Sequence, residues 1–533
     1  MSSHDVDVLI AGAGPVGLTA ALQLARWGVD VRVVDAAPGP ATTSRALNTH
    51  SRTLELYDQM GILGDIAPFG VRVNAFVRHL DDGPLRLDYD YTGLETRFPY
   101  MFMVDQVITE RVLRGHAAAA GATVEWNTAL RSFTQDGAGV RAVLENAGGE
   151  EEIVQARYLW GCDGGHSIVR KSLRLPLQGE STYTWLIADA VVDTPVARDA
   201  LHWMFPPDGL VMLFPFPDPH KWRLLDTTGE GDPNRPEEVA ARFSAKFSQA
   251  LGRETRVETP TWVSTFTIQQ RAVPAMHVGR CFVSGDAAHV HSPASGQGMN
   301  TSIQDAANLA WKLAMVLRGE ADPGLLETYD AERVPVGQAL LASTGEVMEV
   351  AMTTGEDGRD SDYAFLRQLI RGMSGLALDY AGSPLTTGGG NASGAAGPRP
   401  GERLTQVGAA DADSPGWTVL REAIRRPGWH LLVFAPADAP RTAPAWLRTH
   451  LIVPHGPGPE RHRHEGPGLG TALIHDADLR LRQTLGAGAG DWILVRPDGY
   501  LAARGSGFTP EALGHILARV PFLRPPISHG PIH

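Results

Sequence analysis

Residues 6–35 admit essentially one arrangement. Val6 to Ala11 is an apolar run of strand length, and the turn Gly12-Ala13-Gly14-Pro15-Val16-Gly17 follows it. Leu18 to Trp27, rich in Ala and Leu, reads as a helix that Gly28 ends, and Val29 to Asp35 is the next strand. The result is a βαβ unit in which each glycine has its own task. Gly12 makes the tight turn, Gly14 lets backbone amides approach a pyrophosphate, and Gly17 lets the helix pack close to the strand. The helix start at Pro15 adds partial positive charge. Asp35 ends the second strand, close to the ~20-residue spacing at which an acid accepts hydrogen bonds from ribose hydroxyls.

A second set of nucleotide-binding features lies far downstream, in Gly285-Asp286-Ala287-Ala288-His289 and the stretch Ser292 to Asn300. Asp286 supplies a short carboxylate for sugar-chain hydroxyls. Ala294, Ser295, Gly296 and Gly298 are small enough to let backbone approach a flat ring, and Pro293 fixes the chain beside it. Met299 and Asn300 then open a helix, because Ile303, Ala306, Ala307, Ala310, Leu313, Ala314 and Leu317 recur at helical spacing. Amides at that helix start favour an anionic ring by about 0.3–2 kcal/mol. Two such sites suit one long dinucleotide, and they point to FAD held along its whole length.

The rest of the chain bounds this reading. With 533 residues, about three domains are expected. The net charge of -13 and pI near 5.8 exclude a nucleic-acid groove, which needs surplus Lys and Arg on one face. Lysine occurs only at 171, 221, 246 and 312, so no basic run addresses a membrane surface. Cys162 and Cys281 are the only cysteines, which excludes a disulfide framework and a cysteine-based metal site. No metal is expected, and the histidine-rich run 461–465, flanked by Gly and Pro, reads as an exposed loop. The N-terminus lacks a basic region and a cleavage site, so a soluble cytoplasmic protein is expected.

From Leu186 to Thr228 the pattern turns alternating and aromatic, with Trp203, Phe214, Phe216 and Trp222 among its members, and reads as antiparallel strands. These four residues are expected to line or support a substrate cavity, although alternate strand positions must face opposite ways. The expected fold is therefore α/β. A Rossmann-like FAD-binding domain occupies 1–174, with strands near 72–100 lent to a substrate-binding, mainly antiparallel sheet at 175–275. The FAD-binding domain resumes at 276–380, a Gly/Ser/Pro-rich linker covers 381–401, and a small αβ domain fills 402–533.

On three ordered fingerprints the chain resembles the single-component FAD-dependent aromatic hydroxylases, the para-hydroxybenzoate and phenol hydroxylase type. They are Gly12 to Gly17, then Cys162-Asp163-Gly164-Gly165-His166-Ser167-Ile168-Val169-Arg170, then Gly285-Asp286 with the loop through Asn300. The tail resembles the thioredoxin-like domain of longer members, without a cysteine pair. The resemblance implies that Arg45 contacts the FAD phosphates or the incoming NADPH or NADH, that Arg52 lies near the flavin ring, and that Gln106 hydrogen-bonds the cofactor. It further implies that Asp163 and Gly164 serve the paired-cofactor motif with Arg170 bracing it, and that the Pro293 carbonyl lies where oxygen reacts. Ser295 departs from the glycine of many relatives. His289 and His291, behind a buried strand, are read as structural groups and not as acid and base.

The reaction so implied is NAD(P)H-driven reduction of FAD, addition of O2 to give a flavin C4a-hydroperoxide, and hydroxylation of a phenolic or polycyclic aromatic, polyketide-like substrate. Two other readings stay open: oxygen insertion beside a ketone, and a flavoprotein that binds an aromatic ligand without turnover. The substrate-activating base is not identified; Tyr183, Tyr57 and His50 qualify by residue type alone. A homodimer through the C-terminal domain is the analogy the family offers.

Overall fold

The computed structural model describes residues 4–291, 296–353, 359–387, 397–435, 443–454 and 471–524. The chain begins with β1 (Val6–Ala11), α1 (Pro15–Arg26) and β2 (Val31–Val34). Pro15 occupies the first helical position, where its missing N–H costs nothing. Gly28, at φ +73°, turns the chain out of the helix. After α2 (Ser51–Met60) and α3 (Gln106–Ala119), β3 (Glu151–Gly161) pairs in parallel with the side of β1 that β2 leaves free. Val8, Leu9 and Ile10 of β1 are fully buried, as a parallel strand covered on both faces requires.

The chain then builds a second sheet. β4 (Gln178–Asp193), β5 (Val211–Pro215), β6 (Lys221–Asp226) and β7 (Trp262–Ala272) lie antiparallel in the order β7-β4-β6-β5 within a nine-stranded sheet. Residues 75–80 and 83–88 complete its far edge, the first pairing in parallel with 200–204. Strand alternation divides the side chains between two faces. Ile187, Phe214 and Leu225 join one apolar cluster, whereas Leu186, Leu213, Trp222 and Leu224 join another beneath the helix at 236–251.

β8 (Cys281–Val283) returns to the first sheet beside β3. His289 and Val290 then pair with Ala272 and Arg271 of β7, so the segment that follows β8 is stitched to the second sheet. α4 (Gly298–Leu317) comes next and is buried from Asn300 to Met315 on every side, Asp305, Asn308 and Lys312 included. A charge inside such a helix needs a partner. Within α5 (Glu327–Thr353), Arg333 meets Asp305 and Glu332 meets Lys312, both at 2.7 Å.

The C-terminal sheet comprises β9 (Trp429–Phe434), β10 (Leu447–Val453), β11 (Thr471–His475), β12 (Trp492–Val495) and β13 (Leu501–Gly505). Its order is β11-β10-β9-β12-β13, three parallel strands followed by an antiparallel hairpin, the thioredoxin-like arrangement. Leu432 and Phe434 of β9 face this domain's own core, while Trp429, Leu431 and Val433 face the core of the first sheet. There Trp429 meets Trp311 of α4 edge to face, with centroids 5.6 Å apart. Cys162 and Cys281 are free thiols. Among the described residues no helix is long and apolar enough to cross a membrane.

Candidate active site

The glycine turn is built as tightly as its sequence demands. A Cβ on Gly17 would stand 1.9 Å from the Gly12 carbonyl oxygen, and one on Gly12, at φ +103°, would stand 2.3 Å from that of Cys162. Gly14 has open space around it and lines a cavity with Pro15. Asp35 turns its carboxylate back on the turn, accepting from Ala13 N–H at 2.7 Å and Ala37 N–H at 2.8 Å. A carboxylate has about four lone-pair sites, so two remain for a ribose.

The middle motif divides its labour. Asp163 Oδ2 accepts from the Ile168 and Val169 amides at 2.7 and 3.2 Å, and Oδ1 is buried without a partner. Gly164, at φ +72°, reaches the cavity. Arg170 braces the third motif instead of Asp163: its guanidinium donates to the Ala287 carbonyl at 3.3 Å.

Gly285, at φ +63°, is pressed between Val16 and Ser302 and donates its N–H to Asp305 at 3.0 Å. This lays the end of β8 against α1 and α4 at once. Asp286 is accessible from the cavity, and the surrounding protein raises its carboxyl above the ordinary range against the pull of His289 and Arg45. Pro293 lies outside the described residues. Gly296, at φ +61°, packs on Asn48 with no room for a Cβ. Gly298 and Met299 line the cavity at the start of α4. Asn300 acts as a clamp, accepting from His50 N–H at 2.8 Å and donating to the carbonyls of Asn48 and Gly296 at 2.9 and 2.7 Å.

Of these, Gly14, Pro15, Gly164, Asp286, Gly296, Gly298 and Met299 line one cavity of about 1430 Å³, its open mouth included, while Asp35, Asp163, Gly285 and Asn300 stand outside that lining. Arg45 lines it without a hydrogen bond or ion pair among the described residues, although it lies within electrostatic reach of Asp286 and Glu110. Gln106 also lines it and holds the neighbouring backbone, accepting from Ala46 N–H and donating to Glu110, both at 2.8 Å. The opposite wall is the second sheet, represented by Ile187, Phe214, Leu225 and Phe266.

Several expectations are corrected. Arg52 is 2% exposed and belongs to a different environment, bonded to Glu55 at 3.0 Å and to the Asp498 carbonyl at 2.9 Å, with Tyr500 beneath its guanidinium. Of the four aromatics, Phe214 alone reaches the cavity. Trp203 and Phe216 share its face and its cluster without lining the cavity, and Trp222 points to the other face, under Arg198. Strand parity separates Trp222 from the cavity.

One cavity group, Arg223, escaped the sequence reading, and another, His291, was read there as a structural group. Arg223, directly across from Phe214 in the β5–β6 register, lines the cavity, grips Asp189 at 2.8 and 3.0 Å, and donates to the carbonyls of Ser44 and Arg45 at 2.6 and 3.0 Å. Parity counted from Phe214 finds it. His291 also lines the cavity, joined to His289 and through it to Asp305. Its spacing of two from His289 on an extended segment is the sequence signal.

The donor set fits FAD. Gly14 leaves space where a phosphate would rest, an unpaired guanidinium stands nearby, and Asn48 Oδ1 and Asp163 Oδ1 are buried acceptors without partners. Residues 5–344 match the model of the FAD binding domain family, and the chain belongs to that family. It is 46% identical over 518 residues to 6-methylpretetramide 4-monooxygenase of Streptomyces rimosus, covering 94% of this chain and 90% of that protein. It is 32% identical to pentachlorophenol 4-monooxygenase of Sphingobium chlorophenolicum, covering 94% of each. Among solved structures, the anhydrotetracycline hydroxylase from Streptomyces rimosus superposes with a TM-score of 0.70 at 26% identity, over 98% of this chain and 99% of that one. The protein is an FAD-dependent aromatic monooxygenase.

Proposed function

We propose that this chain hydroxylates a flat polycyclic aromatic substrate of the polyketide type, with NADPH or NADH as reductant and O2 as co-substrate. The observation that carries the reading is one cavity whose lining combines Gly14 and Arg45 with the apolar residues Ile187, Phe214, Leu225 and Phe266. The first pair suits phosphates. The apolar residues suit a broad ring system. Two relatives act, by name, on methylpretetramide and anhydrotetracycline, which favours several fused rings over one.

The residues divide the work. Gly14, Pro15, Arg45, Gln106 and Asp35 would hold the dinucleotide's phosphate and ribose end, and Asp286, Gly296, Gly298 and Met299 its redox end. A flavin held there would supply the hydride acceptance from NAD(P)H and the activation of O2 that transfer of one oxygen atom to an electron-rich ring needs. The protein excludes water with the β-sheet wall and presents the amides at the start of α4 to negative charge. Asn300 keeps the Gly296 carbonyl and the Asn48 segment fixed around that start. Two free thiols and the use of NAD(P)H suit the cytoplasm.

The test reconstitutes the protein with FAD and measures anaerobic reduction by NADPH and NADH, alone and with fused-ring phenols or simple phenols, before 18O2 is admitted. Ligand-accelerated reduction and one 18O atom in a phenolic product are expected, with fused-ring compounds preferred. A lactone or ester product would move the chemistry to oxygen insertion beside a ketone. FAD binding without ligand-accelerated reduction or oxygenated product would leave only a ligand-binding flavoprotein.

A further inference from the structure

One buried titratable chain beside the cavity has no task in the account above. His291 is 6% exposed and shares the cavity wall with Asp286, Gly296 and Gly298. Two residues apart on an extended segment, His289 and His291 fall on one side of the backbone and stack with centroids 4.9 Å apart. His289 Nδ1 lies 3.1 Å from His291 Nε2, and His289 Nε2 lies 2.7 Å from Asp305 Oδ2. The other Asp305 oxygen is held by Arg333 at 2.7 Å.

With both rings neutral, the contacts allow one arrangement of the hydrogens. Asp305 is a carboxylate, so His289 Nε2 must donate to it. A neutral His289 then has a bare Nδ1, which accepts from Nε2–H of His291. His291, neutral in turn, keeps its lone pair on Nδ1, and that atom is buried without a partner among the described residues. A ring held in one tautomer by a carboxylate acting through its neighbour is readied to take up a proton. At rest it stays neutral: burial above all holds the His291 ring well below the ordinary histidine range, against the pull of Asp305.

Negative charge arriving in the cavity would reverse that balance. The charged groups around His291 are Asp305 from α4, Arg333 from α5, Arg271 as the β7 partner of Val290, and Asp286 and Arg45 in the cavity wall. The guanidiniums are already protonated and Asp305 is tied to one of them. Asp286 is the competing acceptor.

Resting on the FAD reading above, we propose that His291 takes up a proton when hydride transfer makes the bound flavin anionic, and returns it to the oxygen chemistry that follows. The hydride carries both electrons to the flavin. The proton comes from solvent and adds to the Nδ1 lone pair, so the ring becomes an imidazolium whose Nε2–H stays directed at His289 and, beyond it, Asp305. The overall monooxygenation consumes one proton, and this ring holds it beside the reaction.

The midpoint potential of bound FAD, followed against pH, reads the proton count without turnover. In the wild type the potential should rise as pH falls through the His291 pKa of the reduced state, with one more proton bound per two electrons than in His291→Gln, which keeps a donor toward His289 but cannot ionise. Asp305→Asn should move that break to lower pH. Parallel pH profiles in wild type and H291Q, both with FAD bound, would overturn the inference and assign the proton to Asp286 or solvent. If H291Q does not retain FAD, 15N-histidine spectra of the wild-type holoenzyme decide: one ring should pass from neutral to imidazolium on anaerobic reduction, and no change in any ring would end the proposal. A wild type that binds no FAD, or is not reduced by NAD(P)H, would instead refute the functional reading.

Discussion

At the residue scale, the site separates positions that shape the backbone from positions that meet the ligand. Gly17→Ala forces a Cβ to 1.9 Å from a backbone oxygen, so the turn must deform and the variant should not fold stably. Gly14→Ala meets nothing within 4 Å, so its apo form should melt with the wild type while FAD binds more weakly, because the methyl occupies the phosphate's space. Thermal melts and FAD titrations of the pair check both outcomes. Arg45→Gln removes the unpaired guanidinium, and losing one hydrogen bond to a charged group, about 1.5–3 kcal/mol, should raise the FAD dissociation constant about ten- to hundredfold. An unchanged constant would remove Arg45 from the cofactor site. Glycines and short acids around a turn were legible in sequence because their reasons are local. Arg52 was not: it resembles a ring-contacting arginine in sequence, but its partner Asp498 lies 446 positions away.

At the element scale, period-two alternation decides function more than residue type does. Phe214 and Trp222 are both large aromatics on adjacent strands, yet they stand on opposite faces of the sheet. Trp222→Ala should destabilise the protein by about 3–5 kcal/mol, through the cavity left in the cluster under the 236–251 helix, without altering which aromatic ligands accelerate flavin reduction. Phe214→Ala should instead weaken that acceleration and relax its preference among fused-ring compounds. Urea unfolding together with ligand-dependent reduction rates distinguishes the two, and a specificity change in W222A would contradict the assigned faces. The sequence showed that these segments were strands but not their pairing register. Register turns Phe214 into a pointer to Arg223, and through it to the Ser44 and Arg45 backbone that carries the cavity-lining guanidinium.

At the scale of the whole molecule, the C-terminal sheet is tied by buried charge to the helices behind the cavity. Arg496 and Asp498 stand in the turn of the β12–β13 hairpin, and nothing local in the sequence reveals that Arg496 reaches Glu332 on α5 at 2.5 and 2.9 Å. Glu332 also holds Lys312 of α4, so the tail domain's guanidinium bears on the helix whose first turn lines the cavity. Burial alone would raise the Glu332 carboxyl, but Arg496 and then Lys312 outweigh it and hold the group well below the ordinary range. Asp305 is likewise held down to about 2, by His289 and Arg333 against burial. A carboxyl depressed in the folded state adds stability above its unfolded pKa, near 4, and loses it as pH falls toward the folded value. Arg496→Met leaves Glu332 with Lys312 alone for a cation and takes the guanidinium from Asp498, and should cost about 3–5 kcal/mol at neutral pH. It also brings the folded Glu332 pKa back toward its unfolded value, so acidification has less left to remove. Urea midpoints from pH 7 to pH 3 should therefore show wild type and R496M far apart at the neutral end and converging at the acid end. A gap that stays constant would mean that Arg496 contributes packing against Trp311 and Tyr380 and not compensation of Glu332.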